Sequence, residues 1–278
     1  MGDPIVWSGG RLRSPDEPLV GPRDRGLTGG LGVYESLAVI DGAAFAVTRH
    51  LARLARSAAA VGLATPDGDE LREAAALVAR TGGWGYGRLR ITITSGSSAD
   101  AGDGVTFIVG SAATPVRDVR VVRVPWIRND RAALVGVKAI STADNLVAAR
   151  HAHDQGADEA VLANTRGQLC ECTTSNVLVE VDGQILTPPL SSGCLGGVTR
   201  ELLLEWAVGA GLPVVERTVG YESVLDQVAA ARAGLAVSST IRGVAPVVAL
   251  DGAAVAPGPL TLELRRLVET RRLVDLDP

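Results

Sequence analysis

Lys138 is the single lysine among the 27 lysine and arginine residues of this chain. A guanidinium stays protonated, whereas a lysine amine can lose its proton and attack a carbonyl to form a Schiff base. A lone lysine in an arginine-rich chain thus points to a covalent catalyst. Codon bias, which depletes lysine in a GC-rich genome, is the competing explanation. A second constellation is Gly193-Cys194-Leu195-Gly196-Gly197-Val198-Thr199-Arg200. Its glycines let backbone approach a ligand, and the helix expected from Val198 offers free N–H groups, a positive dipole end and the Thr199 hydroxyl to an anion. It is neither a Walker loop, lacking Gly-Lys-Ser/Thr, nor a dinucleotide fingerprint; an ordinary helix entry is the alternative. Ser238-Ser239-Thr240 adds hydroxyls at a strand end that could complete a phosphate cup with an arginine. Glu171, on a strand among small residues, needs a cation or donors if buried. A protonated pyridine nitrogen would serve, and an exposed turn glutamate is the alternative.

Other clusters carry less. His151 and His153 are two apart on an expected helix and do not share a face, so with Asp154 they read as solvated or capping groups rather than a metal site. His50 stands alone at a helix start. Cys170-Glu171-Cys172 lacks the spacing of a zinc or redox pair, and no metal is expected.

The elements that must position these residues follow from patterning. Residues 33–40 alternate and end at Asp41-Gly42, a hairpin turn signal, with 43–47 returning. Thr48 is the expected N-cap of a helix over 49–62, and a second helix covers 70–81. Strands are expected over 88–94 and 105–110, separated by a Ser/Gly/Asp-rich segment, 95–104, that reads as a mobile loop. The second half reads as strands over 119–124, 159–163, 168–172, 176–181, 184–187, 234–238 and 244–250, with helices over 145–155, 198–210 and 260–274. The sum is an α+β chain with a small N-terminal domain over 1–110, a linker over 111–118 and a larger domain over 119–278 that carries Lys138.

Composition agrees with a globular chain: 46% hydrophobic and 21% charged residues, with net charge -4. No basic block suits a nucleic acid or membrane surface, and no apolar run reaches the roughly 18 residues of a spanning helix. No signal peptide is expected, and three cysteines in an acidic chain favour a reducing cytoplasm.

Taken together the motifs resemble the fold-type IV pyridoxal-phosphate enzymes, from about Val6 to Leu250. Asp24-Arg25-Gly26 and Gly30-Leu31-Gly32-Val33-Tyr34-Glu35 resemble that family's first active-site strand. His50-Leu51-Ala52-Arg53-Leu54 resembles its His-x-x-Arg-Leu helix, and Gly136-Val137-Lys138 with Asn145 its lysine segment. Gly156-Ala157-Asp158-Glu159-Ala160, Glu171-Cys172-Thr173-Thr174-Ser175-Asn176, Thr187-Pro188-Pro189-Leu190 and the glycine loop complete the series. The resemblance implies that Lys138 holds pyridoxal 5'-phosphate and shuttles a proton, and that Glu171 keeps the pyridine nitrogen protonated. It further implies that Arg53, Gly197, Val198, Thr199, Ser239, Thr240 and Asn176 serve the cofactor, with Leu195 against the ring. A homodimer is implied, with the cofactor between the domains and a partner loop closing the pocket. Two departures stand out. Thr142 replaces a frequent tyrosine, and Gly30-Leu31-Gly32 replaces Gly-Asp-Gly.

Within the family, Ser36 after Tyr34-Glu35 departs from the Phe-Glu-Gly of branched-chain enzymes. Tyr34 is similar to the tyrosine that helps hold the substrate carboxylate in D-amino-acid aminotransferases. Their arginine and histidine from the loop after the strand over 88–94 have no counterpart, since residues 95–104 contain no basic residue. Arg25, Arg88, Arg90, Arg128 and Arg242 are the candidate replacements. The expectation is a ping-pong aminotransferase with a D-amino-acid-like preference, acting on an amino acid and a 2-oxo acid. Tyr34-Glu35-Ser36-Leu37 also resembles the Phe-Glu-Thr-Leu of aminodeoxychorismate lyases, which release pyruvate and 4-aminobenzoate. A non-catalytic cofactor binder that kept the fold is a further alternative, and the intact Lys138, Glu171 and Arg53 set argues against it. A hydrolase would need a nucleophile elbow that is missing.

Overall fold

A computed structural model describes residues 3–98 and 102–278. It divides into two units. One comprises the chain up to Pro115 together with Val137–Thr142 and Asp275–Pro278; the other comprises Val116–Gly136 and Ala143–Val274.

The first unit contains strands β1 (Ile5–Ser8) and β2 (Arg11–Arg13), helix α1 (Arg25–Gly29), strands β3 (Gly32–Ile40) and β4 (Ala43–Ala44), helices α2 (Val47–Ala60) and α3 (Gly68–Gly82), and strands β5 (Tyr86–Thr94) and β6 (Thr106–Ala112). The strands form one antiparallel sheet in the order β2-β1-β6-β5-β3-β4. Asp41 and Gly42 turn β3 into β4 with φ of 47° and 77°, the left-handed pair that such a two-residue turn requires. Strand alternation divides β3 sharply. Val33, Leu37 and Val39 face a core shared with Leu54 and Ala58 of α2 and with Leu71 and Val78 of α3. Tyr34 and Ser36 point to the other face.

Helix α2 starts earlier than the sequence predicts. Ala46, at φ 55°, stands at its cap position without a side-chain bond. Thr48, the expected cap, lies inside the first turn. Its N–H and hydroxyl donate to Asp277 at 2.8 and 2.7 Å. Of the segment read as a loop, 95–104, residues 99–101 lie outside the described residues.

The stretch that carries Lys138 corrects the expected division. Its place in the sequence assigns it to the C-terminal domain, yet it pairs along β3: Ala139 bridges Val33. The Tyr34 N–H donates to the Lys138 carbonyl at 2.9 Å, and the Ile140 N–H donates to the Gly32 carbonyl at 3.0 Å. Gly32 permits this approach. A Cβ there would lie 2.6 Å from the Ile93 carbonyl oxygen and 2.7 Å from the Ile140 side chain.

The second unit contains β7 (Val119–Arg128), α4 (Ala143–Asp154), β8 (Glu159–Asn164), β9 (Leu169–Cys172), β10 (Asn176–Val181), β11 (Gln184–Thr187), α5 (Val198–Ala210), β12 (Val214–Glu216), α6 (Tyr221–Ala229), β13 (Gly234–Ser239), β14 (Gly243–Leu250), β15 (Ala253–Ala254) and α7 (Pro259–Val274). Its sheet runs β12-β11-β10-β13-β14-β7-β8-β9, with β15 on β14. The pairs β7–β8, β7–β14 and β11–β12 are parallel and the others antiparallel. Val177 and Val179 of β10 join a core closed by Val224, Leu225 and Val228 of α6. Leu178 between them joins the core of α5 and α7, with Leu203 and Leu264. Helices thus cover both faces, and the fold is the expected α+β. Strand β7 continues past the predicted end at 124 to Arg128, and α6 is an element that the sequence reading lacks.

Candidate active site

Two clusters of functional side chains form, one in each unit. In the first unit, Lys138 is held through its backbone. Besides the carbonyl contact, its N–H donates to the Ser57 hydroxyl of α2 at 3.2 Å. Its Nζ lies 4.4 Å from the centroid of the Tyr34 ring. The Arg90 guanidinium lies 3.7 Å from the same centroid, a cation–π contact. Register explains the meeting. Ser36 pairs with Arg90, Tyr34 with Thr92 and Ala38 with Arg88, so these side chains share one sheet face. Burial, the larger cause, holds Arg90 below its ordinary pKa, although Tyr34 opposes it.

Behind β3 lies a triad that no sequence motif announces as a unit. Glu35 is fully buried. Its carboxylate accepts from Arg53 Nε and Nη2, both at 2.7 Å, and from His50 Nδ1 at 2.7 Å. Burial alone would raise the Glu35 pKa, but Arg53 and then His50 outweigh it and bring it from 4.5 down to about 2. The His-x-x-Arg spacing puts both partners on one face of α2. Arg53 is therefore bound bidentately to Glu35 through two of its five N–H donors.

In the second unit, Glu171 of β9 is 4% exposed. Its Oε1 accepts from Arg128 Nε at 2.8 Å and also from Arg128 Nη2. Its Oε2 accepts from the Leu195 N–H at 2.9 Å. Arg128 Nη1 donates to Asn145 at 2.9 Å, and Asn145 donates to the Thr173 carbonyl at 2.6 Å. Near this carboxylate, α5 opens at Gly197 with no side-chain cap, so the first-turn N–H groups of Val198 and Thr199 have no capping oxygen. A Cβ on Gly197 would lie 2.1 Å from Asn176 Oδ1. Asn176 is pinned by its donation to the Leu195 carbonyl at 2.8 Å. This arrangement leaves an N-terminal anion cradle beside a buried carboxylate.

The remaining candidates separate cleanly. Arg242 pairs with buried Glu159, which also accepts from Thr173, Thr174 and Ser175. Arg128 and Arg242, offered by the sequence as substrate carboxylate ligands, thus each carry a protein carboxylate already. Ser239 accepts from the Arg242 N–H at 3.4 Å, and the Thr240 carbonyl accepts from Arg272 at 2.9 Å. Arg25 is exposed at the start of α1, and Arg88 is exposed on β5. The three cysteines are buried and unpaired, and burial raises the pKa of each.

These features define a class of protein, and comparison with known proteins names it. Residues 32–250 match the model of the family described as amino-transferase class IV, and the chain belongs to that family. It is 28% identical to a D-alanine aminotransferase of Listeria monocytogenes, over 90% of each chain. It is 29% identical to a bifunctional aminodeoxychorismate lyase / D-amino acid transaminase of Mycobacterium tuberculosis, covering 98% of this chain and 99% of that one. Among solved structures it resembles the PLP-bound form of a hypothetical aminotransferase from Mycobacterium tuberculosis, with a TM-score of 0.85 and 26% identity over 96% of this chain and 98% of that one. Among the described residues no helix is long and apolar enough to cross a membrane.

Proposed function

We propose that this class IV aminotransferase uses pyridoxal phosphate to move amino groups between an amino acid and a 2-oxo acid, with a preference for D-amino acids. The observation that carries the reading is the neighbourhood of Lys138. The chain's one amine side chain and the Arg90 guanidinium flank the same Tyr34 ring, at 4.4 and 3.7 Å from its centroid. An amine able to bond a carbonyl carbon is thus close to a cation able to hold a carboxylate.

The second unit's donor set fits the cofactor. A phosphate suits the uncapped α5 terminus, where the N–H groups of Val198 and Thr199 and the Thr199 hydroxyl would be donors; the family resemblance adds the hydroxyls of Ser239 and Thr240. A Cβ at Gly197 would crowd Asn176, and Leu195 would supply apolar contact to the ring. Glu171, paired with Arg128, would hold a proton at the pyridine nitrogen. The family resemblance assigns Arg53 to the phosphate, and within the first unit Glu35 fixes its orientation. When bound, pyridoxal phosphate supplies an aldehyde that condenses with amines and a ring that takes up the electron pair left at the substrate Cα. Lys138 Nζ takes the Cα proton and returns it in the opposite half-reaction. Tyr34 and Arg90 orient the carboxylate so that the Cα–H bond faces Lys138.

The preference for D-amino acids rests on Tyr34 and on similarity to D-alanine aminotransferases. A second reading, aminodeoxychorismate lyase, is favoured by Tyr34-Glu35-Ser36-Leu37 and by the bifunctional relative. We assign the protein to the cytoplasm, in keeping with its unpaired cysteines, and to a homodimer, which light scattering would test.

The deciding experiment follows the visible cofactor band of the loaded protein as D-alanine and then L-leucine are added. Bleaching by D-alanine supports the reading, and bleaching by L-leucine alone moves it to branched-chain substrates. Response to neither, with 4-aminobenzoate formed from aminodeoxychorismate without an amino acceptor, selects the lyase. A Lys138→Ala variant that still turns over would overturn the assignment of the amine.

A further inference from the structure

We propose that Arg272, in the last turn of α7, is a positioning residue for the cofactor phosphate: its grip on the Thr240 carbonyl sets the turn that offers Ser239 and Thr240 to the anion. The inference rests on the cofactor reading above, which gives that turn to the phosphate by family resemblance. Arg272 lies beyond the matched residues, 32–250, so the resemblance assigns it nothing.

Strands β13 and β14 pair antiparallel, with Ser239 opposite Gly243. Thr240, Ile241 and Arg242 form the turn between them. Gly243 closes it at φ 62°, in the left-handed region that favours glycine. A Cβ on Gly243 would lie 3.2 Å from Arg272 Nη1. Arg272 Nη2 donates to the Thr240 carbonyl at 2.9 Å. One planar guanidinium thus meets the turn at its first residue and at its exit. A peptide plane is rigid, so holding the Thr240 carbonyl restrains the Cα that carries the hydroxyl.

Arg272 is 8% exposed, while Arg271 beside it is exposed. A buried cation requires hydrogen-bond acceptors, and the Thr240 carbonyl is one. Val268, one helical turn earlier on the same face, sits in the core with Val244 of β14 and Leu203 of α5. Arg272 and the α5 cradle therefore lie on one side of the sheet. The turn is also tied through Arg242, whose side chain pairs with Glu159 and whose N–H donates to the Ser239 hydroxyl at 3.4 Å. Of these contacts, the one from Arg272 engages Thr240 itself.

The test titrates pyridoxal phosphate and pyridoxal, separately, into the full-length protein stripped of cofactor. Arg272→Met keeps the apolar stem and removes the donors. It is expected to raise the Kd for pyridoxal phosphate about tenfold and to leave that for pyridoxal within about twofold. The phosphorus resonance of the bound cofactor should shift as well. Arg272→Lys keeps a cationic donor and should recover part of the affinity. Arg271→Ala, which removes the same charge from the exposed side of that helical turn, should change neither Kd. Equal losses for both ligands, or no loss for either, would overturn the proposal. Should the methionine form fold poorly, the lysine form must show the same phosphate-selective loss at smaller size, and its absence there also overturns the proposal. Failure of the cofactor reading shows instead in the wild-type protein, which would then bind pyridoxal phosphate no more tightly than pyridoxal.

Discussion

Arg128 Nε stands 2.8 Å from Glu171 Oε1, and a second guanidinium nitrogen binds the same oxygen. Burial works against the arginine's charge, but Glu171 outweighs it and holds Arg128 above its ordinary pKa. The relationship gives Arg128 a role other than gripping substrate. It compensates a carboxylate that is itself almost fully buried, and it leaves Oε2 to the Leu195 N–H at the entrance of the glycine loop. Asn145 continues the chain of contacts to the Thr173 carbonyl, so the lysine-segment asparagine and the Glu171 turn are mechanically joined.

Replacing Arg128 with methionine should therefore leave Glu171 buried without its cation. The expected cost is about 1–3 kcal/mol in urea unfolding, with a lower rate of the amino-acid half-reaction. Arg128→Lys should recover stability better than rate, because a point charge replaces a fork. If the methionine variant changed only KM for the substrate carboxylate, Arg128 would belong to the substrate after all.

The Glu35–His50–Arg53 triad predicts the acid limb of stability. Glu35 is depressed from 4.5 to about 2, so its contribution is complete above pH 4.5 and is lost as pH falls toward 2. By linkage this is of order 3 kcal/mol. His50 is also lowered from 6.5, chiefly by burial. With Nδ1–H donated to Glu35, protonation would fall on Nε2, which has no partner among the described residues. The unfolded chain thus binds this proton more readily, and stability should begin to fall as pH drops below 6.5. Glu35→Gln should flatten the dependence between pH 4.5 and 2. Urea unfolding across pH checks both limbs; a flat profile between pH 6.5 and 4.5 would contradict the account of His50.

Much of this arrangement is legible in the amino-acid sequence. The turn at Asp41-Gly42 is readable because it demands left-handed backbone, which asparagine, aspartate and glycine tolerate. The α5 entry is readable because a helix pattern follows two glycines directly. What stays hidden depends on distant pairing. Nothing local to residues 137–142 says that they lie along β3, because the bridge from Ala139 to Val33 spans the chain. No pattern distinguishes Arg128 from the other arginines, since its role is set by β7 running on past Pro125 and by its approach to β9. Helix α6 does have a signal: Tyr221, Val224, Leu225 and Val228 recur at helical spacing and are buried.

Gly197→Ala tests the anion cradle. The new Cβ would sit 2.1 Å from Asn176 Oδ1, and Asn176 can yield only by giving up its bond to the Leu195 carbonyl. Overpacking of this kind costs about 1–3 kcal/mol. The expected result is a clear rise in the Kd for pyridoxal phosphate, with less change for pyridoxal, which lacks the phosphate. Equal losses for both ligands would mean that the substitution disturbs the fold rather than the cradle.

Asp277 tests how α2 is held. Ala46 cannot cap this helix through its methyl group, and the orphan amide of Thr48 is instead satisfied by a carboxylate from the far end of the sequence. Asp277 also accepts from the Thr48 hydroxyl at 2.7 Å and from Arg72 at 2.8 Å, while the Ala46 N–H donates to the Leu276 carbonyl at 2.6 Å. The negative charge sits at the positive end of the helix dipole, where it is favoured. Asp277 is therefore an N-cap supplied from outside the helix. Asp277→Ala should cost about 1 kcal/mol in urea unfolding, and Asp277→Asn should cost less, because the amide oxygen can still accept from Thr48. The same helix carries Arg53 and Ser57, and Ser57 binds the Lys138 N–H. Hydrogen exchange at Thr48 should quicken in Asp277→Ala, and cofactor binding should weaken to a smaller degree. Unchanged exchange at Thr48 would show that the first turn of α2 holds without the tail.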